Sequence, residues 1–171
     1  MRSLQTKGAS GQSTITMGEP LERLSAYCDA AKSVIITDGP VRALYGDLFP
    51  SWEVIEIGLG ERSKTLATVN RLYQSFLRHE VDRSSFVVAI GGGLVCDVAG
   101  YAASTYLRGL RFGFVPTTLL AQVDASVGGK NGVNFRGYKN LVGTFTQPQF
   151  VLCDFSVLHT LPAPEKIRRG C

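Results

Sequence analysis

The sequence has few of the residues that build metal sites and disulfide frameworks. Its four cysteines are scattered with no CxxC pair among them, and its two histidines, His79 and His159, do not stand at a spacing typical of metal ligands. Because no secretion signal is recognisable, the cysteines are expected to be reduced thiols. We therefore expect no zinc site made from this chain alone.

Long apolar runs and blocks of one charge are also missing. No run approaches the roughly 20 residues needed to span a bilayer, and the N-terminal sequence MRSLQTKGASGQST has no apolar signal core. Residues 1–14 are therefore expected to be a polar, mobile leader, and the protein to be cytoplasmic. The net charge is only +4 and basic residues cluster only in EKIRRG, so neither nucleic acid nor a membrane is expected as a partner.

An ordinary globular composition remains. The 171 residues are 44% hydrophobic and 19% charged, which suits one domain with a core of its own. Short β-branched runs alternate with segments of helical period, a pattern typical of βαβ units and a largely parallel sheet with flanking helices. The predicted strands are 33–38, 52–57, 85–90, 111–115 and 150–154, the predicted helices are 39–49, 64–79 (with Ser63 as N-cap), 95–107 and 119–127, and 127–145 is expected to be a loop or short hairpin region.

Three consecutive glycines, Gly91, Gly92 and Gly93, lie between a predicted strand and a predicted helix. This arrangement places free backbone N–H groups and the positive end of a helix dipole at one spot, which suits a pyrophosphate. A second interpretation is that the glycines only allow a tight strand-to-helix turn. The glycines alone leave both interpretations open.

Charged residues stand near neighbouring strand ends. Asp38 closes the strand VIITD, a position where an acidic side chain commonly binds ribose hydroxyls. Glu61 and Lys64 lie in the next strand-to-helix loop, and Asp97 lies one turn into the helix after the glycines. Each alone is equally typical of a helix cap or a solvated loop charge. Their common place at the carboxyl edge of a parallel sheet predicts a nucleotide site.

A second group of polar residues follows later in the chain. Asp124 lies in an otherwise apolar segment and needs a partner if it is buried. Lys130 and Lys139 lie in glycine-bearing loops and suit a phosphate or carboxylate, and Asn140 can orient a hydroxyl. Arg108 closes a predicted helix. The alternatives are a solvated face for the lysines and compensation of the helix dipole for Arg108.

A long ordered string of residues resembles the 3-dehydroquinate synthase family. It reads GGGLVCDVAGYAASTYLRGLRFGFVPTTLLAQVDASVGGKNGVN, followed by GYKNLVGTFTQP, and the resemblance covers roughly residues 33–161. It implies a Rossmann-like NAD-binding domain, expected at 15–162. In the family, a helical C-terminal domain holds a divalent metal, zinc or cobalt. Residues 163–171 are expected to be the start of that domain, so this chain is expected to lack the domain and to hold no metal ligand.

The resemblance also implies a reaction. Family members convert 3-deoxy-D-arabino-heptulosonate 7-phosphate to 3-dehydroquinate and phosphate, a step of the shikimate pathway toward chorismate and the aromatic amino acids. NAD takes up a hydride and returns it, so the activity is that of a lyase with a catalytic redox cofactor. The expected partners are a small sugar-acid phosphate as substrate and a second copy of the chain in a homodimer.

Carried over by position, the resemblance implies roles for two sets of residues. The set implied to contact NAD is Asp38, Glu61, Lys64, Gly91, Gly92, Gly93, Asp97, Thr117, Thr118, Lys139 and Thr160. The set implied to contact the substrate is Asp124, Lys130, Lys139 and Asn140, with Arg108 reaching the phosphate in the neighbouring subunit.

Two departures from the family pattern are visible. Asn131 stands where the family usually has threonine, and the chain ends before the family's metal-binding glutamate. The chain is therefore expected to be inactive alone. Three other interpretations remain open: another sugar phosphate cyclase that makes a valiolone or an inosose, a metal-dependent polyol dehydrogenase, and a non-catalytic NAD-binding module.

Overall fold

The computed structural model describes residues 2–8, 11–28 and 32–161. The strands are β1 (Arg2–Gly8), β2 (Gly11–Met17), β3 (Ser33–Asp38), β4 (Glu53–Ile57), β5 (Phe86–Gly91), β6 (Arg111–Pro116), β7 (Lys130–Phe135), β8 (Tyr138–Phe145) and β9 (Phe150–Cys153). The α-helices are α1 (Gly39–Tyr45), α2 (Leu66–Arg78) and α3 (Gly93–Thr105).

Seven strands form one sheet in the order β1-β2-β9-β6-β5-β3-β4, and β7 and β8 form a separate hairpin. Every neighbouring pair in the large sheet is parallel except β1 and β2. The structure therefore confirms the predicted α/β architecture with a Rossmann-like, largely parallel sheet. None of the helices in the described ranges is long and apolar enough to cross a membrane.

Strand β5 lies at the centre of the sheet and is buried along its whole length. Val87 and Ala89 belong to the core on the side of α2 and α3. Phe86, Val88 and Ile90 belong to the core on the opposite side, against which residues of α1 also pack. Because helices cover both faces, the strand is apolar at successive positions rather than at alternate ones.

The helix starts follow local capping chemistry. Asp38 caps α1, since its Oδ1 accepts a hydrogen bond from Val41 N at 2.9 Å. The predicted cap of α2 was wrong: Thr65 accepts from Thr68 N at 3.3 Å, whereas the Ser63 hydroxyl donates to the Leu59 carbonyl within a short turn. The helix predicted at 119–127 is shorter and includes a π-helical segment, Ala121–Ala125.

The prediction of a mobile leader is wrong for the described residues of that segment. Strands β1 and β2 pair as an antiparallel hairpin, and β2 adds in parallel to β9. The polar sequence fits this structure, because β1 is largely exposed and β2 buries only Ser13, Ile15 and Thr16. Its order comes from main-chain pairing, which the polarity of the side chains does not reveal. Residues 163–171 lie outside the described residues.

The glycine-rich region forms the β7–β8 hairpin, one of the two alternatives expected from sequence. Its pairing register shifts between Val133 and Phe135, which marks a bulge at Asn134. The hairpin packs against α3, with Val133 in the same core cluster as several residues of that helix. It therefore closes the space beside the first turns of α3.

Candidate functional site

The chain reverses its direction of travel across the sheet between β3 and β5. It leaves β3 toward β4 through α1 and leaves β5 toward β6 through α3, on opposite sides of this point. The two strands are tied here by a buried hydrogen bond of 2.7 Å from the Thr37 hydroxyl to the Ile90 carbonyl. A reversal of this kind opens a crevice at the carboxyl ends of the strands, where ligands of α/β proteins bind.

A cleft of about 370 Å³ lies at this reversal point. Its wall combines polar residues that the sequence assigned to the cofactor with apolar residues of α1 and of the loops around it. The polar residues are Asp38, Gly92, Thr117, Thr118 and Thr160, and the apolar part includes Val41, Leu44, Leu59 and Leu161. The structure thus brings five of the predicted cofactor residues together from distant parts of the chain.

The structure separates the roles of the three glycines. Gly92 is the N-cap of α3 and lines the cleft. A Cβ atom at Gly91 would stand 2.6 Å from Val95 Cγ2, and one at Gly93 would stand 3.1 Å from Ala125 Cβ. Packing against Val95 therefore requires glycine at position 91, and position 93 leaves little room for a side chain beside Ala125. The first-turn amides of α3 have no partners within the helix and open beside Gly92, which suits an anion.

Lys64 and Asp97 form an ion pair with an N–O distance of 2.5 Å. Lys64 is only 6% exposed. Burial raises the pKa of the Asp97 carboxyl, and the hydrogen bond and charge of Lys64 oppose that rise. Neither residue lines the cleft at the reversal point. Glu61 is exposed and accepts a 2.8 Å hydrogen bond from Asn134 Nδ2.

A second cavity of about 530 Å³ lies between α3, the segment after Thr118 and the β7–β8 hairpin. Asp97, Asp124, Lys130 and Asn140 line it. Three of the predicted substrate residues are thus brought together, and Asp97 joins them although the sequence assigned it to the cofactor. Asp124 is exposed, so it needs no buried partner.

The remaining predicted residues lie outside both cavities. Lys139 is exposed on β8 next to Asn140 but is not part of the cavity wall. Arg108 is exposed at the end of a short turn, with a φ of 69°. His79 lies 3.5 Å from a carboxylate oxygen of Glu53. Within the described residues, no group of three or more His, Cys, Asp or Glu side chains could hold a metal ion.

The fold also brings to the two cavities residues whose role was not expected from sequence. Tyr45 lines the cleft, and its hydroxyl contacts Thr160 Oγ1 and donates to the Val157 carbonyl at 3.0 Å. Helical spacing from Val41 was a usable signal, because it places Tyr45 on the same face one turn later. Asn131, noted from sequence only as a departure from the family pattern, lines the second cavity, and Asn134, hydrogen-bonded to Asn140, gave no comparable signal.

Comparisons with known proteins identify a family and related folds. Residues 54–168 match the family described as 3-dehydroquinate synthase N-terminal. A 3-dehydroquinate synthase of Gloeobacter violaceus is 58% identical over 111 residues, which is 65% of this chain and 31% of that protein. One of Streptococcus sanguinis is 47% identical over 153 residues, covering 84% of this chain and 43% of that protein. The chain thus spans less than half the length of these relatives.

Two solved structures share the fold closely. One is a 2-deoxy-scyllo-inosose synthase complexed with carbaglucose-6-phosphate, NAD+ and Co2+, with a TM-score of 0.85 and 31% identity over 96% of this chain and 48% of that one. The other is a 2-epi-5-epi-valiolone synthase of Streptomyces hygroscopicus with NAD+ and Zn2+ bound, with a TM-score of 0.81, 31% identity and the same coverage. On the match over residues 54–168, the chain belongs to the 3-dehydroquinate synthase N-terminal family.

Proposed function

We propose that this chain binds NAD in the cleft at the reversal point and is the cofactor-binding part of a 3-dehydroquinate synthase. The proposed reaction converts 3-deoxy-D-arabino-heptulosonate 7-phosphate to 3-dehydroquinate and phosphate, in the shikimate pathway. The observation that carries the proposal is the convergence of Asp38, the N-terminus of α3 at Gly92 and Thr117 and Thr118 on one cleft.

The cleft has the chemistry that a dinucleotide requires. The positive end of α3 and its first-turn amides suit the pyrophosphate beside Gly92. Asp38 uses Oδ1 to cap α1, and in the proposal its other carboxylate oxygen accepts from ribose hydroxyls. Val41 and Leu44 supply an apolar wall for the adenine. Bound NAD would supply the acceptor and later the donor of a hydride.

We propose the second cavity as the place of the sugar-acid phosphate. The Lys130 ammonium attracts phosphate or carboxylate, and the Asn140 amide both donates to and accepts from hydroxyls. The buried Lys64 holds the carboxylate of Asp97 at the rim of this cavity. The described residues contain no group of His, Cys, Asp or Glu side chains that could hold a metal ion, so the proposal gives none of them a metal-binding role. The homodimer, with Arg108 reaching into the neighbouring subunit, stays part of the proposal.

A second candidate is another sugar phosphate cyclase, favoured by the 31% identity to an inosose synthase and to a valiolone synthase. Both candidates place NAD in the same cleft and differ in the sugar phosphate. Incubation with each sugar phosphate and with Zn2+ or Co2+, followed by mass spectrometry of the products, tests turnover and distinguishes them. Because the chain is expected to be inactive alone, a product would identify the cyclase, whereas NAD binding without any product fits both the cofactor-binding part of a synthase and a non-catalytic NAD-binding module.

Calorimetric titration with NAD tests the proposal directly. We expect saturable binding with one site per chain. Asp38→Ser keeps a helix-capping hydroxyl but is too short to reach the cleft, and it should weaken binding by about tenfold, the loss of a charge-assisted hydrogen bond. Gly92→Val should abolish binding, because a Cβ atom there already stands 3.2 Å from Thr118 Cγ2 and the added methyl groups would fill the cleft.

The matched control is Asp47→Ser, which removes an exposed carboxylate outside the cleft wall. It should bind NAD with unchanged affinity. Circular dichroism of each variant checks that the sheet is intact. The proposal is wrong if the folded wild-type chain shows no binding, or if the Asp38 and Asp47 variants lose affinity equally.

A further inference from the structure

Asn134 lies at the bulge in β7, where its backbone contacts the β4–α2 loop. The Asn134 N–H donates to the Lys64 carbonyl at 2.9 Å, and Asn134 forms an isolated parallel bridge with Thr65. A bulge adds one residue to a strand and re-aims its side chain, and such bulges are frequent beside active sites. At this residue, β7 is therefore attached to the β4–α2 loop as well as to β8.

The side chain of Asn134 makes two further hydrogen bonds in opposite senses. Its Nδ2 donates to Glu61 Oε1 at 2.8 Å, and its Oδ1 accepts from Asn140 N at 2.9 Å. Glu61 can only accept while ionised and the Asn140 amide can only donate, so these partners fix the orientation of the Asn134 amide. Asn140 itself has a left-handed backbone, with a φ of 53°.

These three hydrogen bonds join the β4–α2 loop, which carries Glu61 and Lys64 and lines the cleft through Leu59, to the wall of the second cavity. On one side are Glu61 and the backbone of Lys64, whose ammonium pairs with Asp97. On the other side is Asn140, in the wall of the second cavity. The Asn134 amide connects the β4–α2 loop directly to strand β8.

We infer that Asn134 is a positioning residue that couples the β4–α2 loop to the second cavity, so that a change at Glu61 or Lys64 alters the placement of Asn140. The inference rests on the proposed function only for what binds on each side. The coupling itself follows from the contacts. It needs a donor and an acceptor on one short, planar group, a combination that asparagine supplies and that aspartate, alanine and leucine do not.

Backbone hydrogen exchange at the Asn140 amide, followed by NMR, tests this coupling in the chain without ligand. Asn134→Ala removes the acceptor of that amide and should speed its exchange by about tenfold, the loss of one hydrogen bond. Asn134→Asp keeps an acceptor for Asn140 but sets a carboxylate against Glu61. It should leave the Asn140 amide more protected than Asn134→Ala does.

A double-mutant cycle with Glu61→Ala tests whether a change in the β4–α2 loop reaches Asn140 through Asn134. In the wild-type background, removing the Glu61 carboxylate frees the Asn134 amide and should speed exchange at Asn140. In the Asn134→Ala background, the same change should have no effect. Equal effects of Glu61→Ala in both backgrounds would overturn the inference, as would unchanged Asn140 exchange in Asn134→Ala.

Two controls separate this role from general loss of structure. Asn70→Ala removes an exposed asparagine of α2 and should leave exchange at Asn140 unchanged. The amide of Val88, in the central strand, should exchange as in the wild type in every variant. If the Val88 amide exchanges faster in Asn134→Ala than in the wild type, that variant has lost structure generally. The role of Asn134 is then tested by comparing exchange at Asn140 between Asn134→Asp and the wild type.

NAD adds a readout that depends on the proposed function. Since Leu59 of the β4–α2 loop lines the cleft, saturating NAD should slow exchange at Asn140 in the wild type and should not do so in Asn134→Ala. A wild-type chain that shows no NAD binding in calorimetry contradicts the proposed function. The double-mutant cycle without ligand still decides the role of Asn134 in that case.

Discussion

At the scale of single residues, Lys64 and Asp97 form the most buried ion pair among the described residues. The Lys64 side chain is 7% exposed and that of Asp97 is 20% exposed. Burial favours the neutral form of the Asp97 carboxyl and raises its pKa, and the nearby Glu61 and Asp124 act in the same direction. The Lys64 ammonium opposes all of these effects. Removing it would leave a carboxylate in a poorly solvated place.

Lys64→Ala should therefore raise the pKa of Asp97 further and lower stability at neutral pH. Loss of one partner of a buried pair costs about 3 kcal/mol. With the folded-state pKa above the unfolded value near 4, protonated Asp97 carries no penalty, so the loss should be smallest below about pH 4 and should grow as pH rises through the folded pKa. Urea unfolding at several pH values, with a carboxyl ¹³C titration of Asp97, measures both effects.

Lys32→Ala is the matched control for this prediction. Lys32 and Glu80 form an exposed pair at 3.6 Å, with side chains 49% and 84% exposed. Exposed pairs contribute about 1 kcal/mol or less, so this variant should lose little stability at any pH. A loss in Lys64→Ala that does not change with pH would contradict the assignment of the penalty to the Asp97 charge.

At the scale of elements, the contact between α3 and the β7–β8 hairpin depends on Gly100. A Cβ atom at this position would overlap the Asn131 side chain and would stand 3.0 Å from Phe114 Cζ. Asn131 is 5% exposed, and its Nδ2 donates to the Gly129 and Thr146 carbonyls. Its buried Oδ1 has no hydrogen-bond partner among the described residues. The helix and the hairpin are therefore held together by a tight fit around one amide.

Gly100→Ala should lower stability by about 1–3 kcal/mol through overpacking, although alanine is the better helix former. Asn131→Ala removes the group that the new methyl would meet, so the double variant should lose less than the sum of the single losses. Urea unfolding of the four proteins gives the cycle. Gly46→Ala, at a helical φ of −56° with only an ordinary contact to Arg42, is the control and should cost almost nothing. If the losses in free energy of unfolding simply add, the overlap between position 100 and Asn131 is not the cause of the lower stability.

Element positions were predictable where burial dictates composition. The strand 33–38 was predicted with the bounds that the structure shows, because a strand buried on both faces must be apolar at successive positions. The N-terminal hairpin was not predictable in this way, since its order comes from main-chain pairing. The carboxyl edge was predicted as the site. Separate cofactor and substrate sets were also predicted, but the place of Asp97 in the second cavity was not, because that depends on how the hairpin packs against α3.

At the scale of the whole molecule, the N-terminal hairpin protects one side of the sheet. Strand β9 is buried along its length, and β2 pairs with its outer side from Thr14 to Met17. Without β2, β9 would become an exposed, apolar edge, which is a template for pairing with other chains. Strand β1 is largely exposed and mostly polar, so its outer edge is not an apolar template of this kind.

Deleting residues 1–17 should therefore cause self-association, whereas deleting residues 1–10 should leave the protein monodisperse. The shorter deletion keeps β2 in place. The edge of the sheet is then β2, whose exposed side chains are polar. Light scattering across a concentration series, together with urea unfolding at low concentration, separates association from loss of stability. Equal association of both variants would contradict protection by β2.

The cleft at the reversal point also has a consequence for biosynthesis. Its wall includes Asp38 near one end of the chain and Thr160 near the other, with Gly92 and Thr118 between them. A nascent chain on the ribosome therefore has no complete cleft until the segment after β9 has emerged and β9 has joined the sheet. A ligand of this cleft cannot guide the early steps of folding. The ligand binds after the sheet is complete. It then stabilises the folded chain by mass action and slows its unfolding.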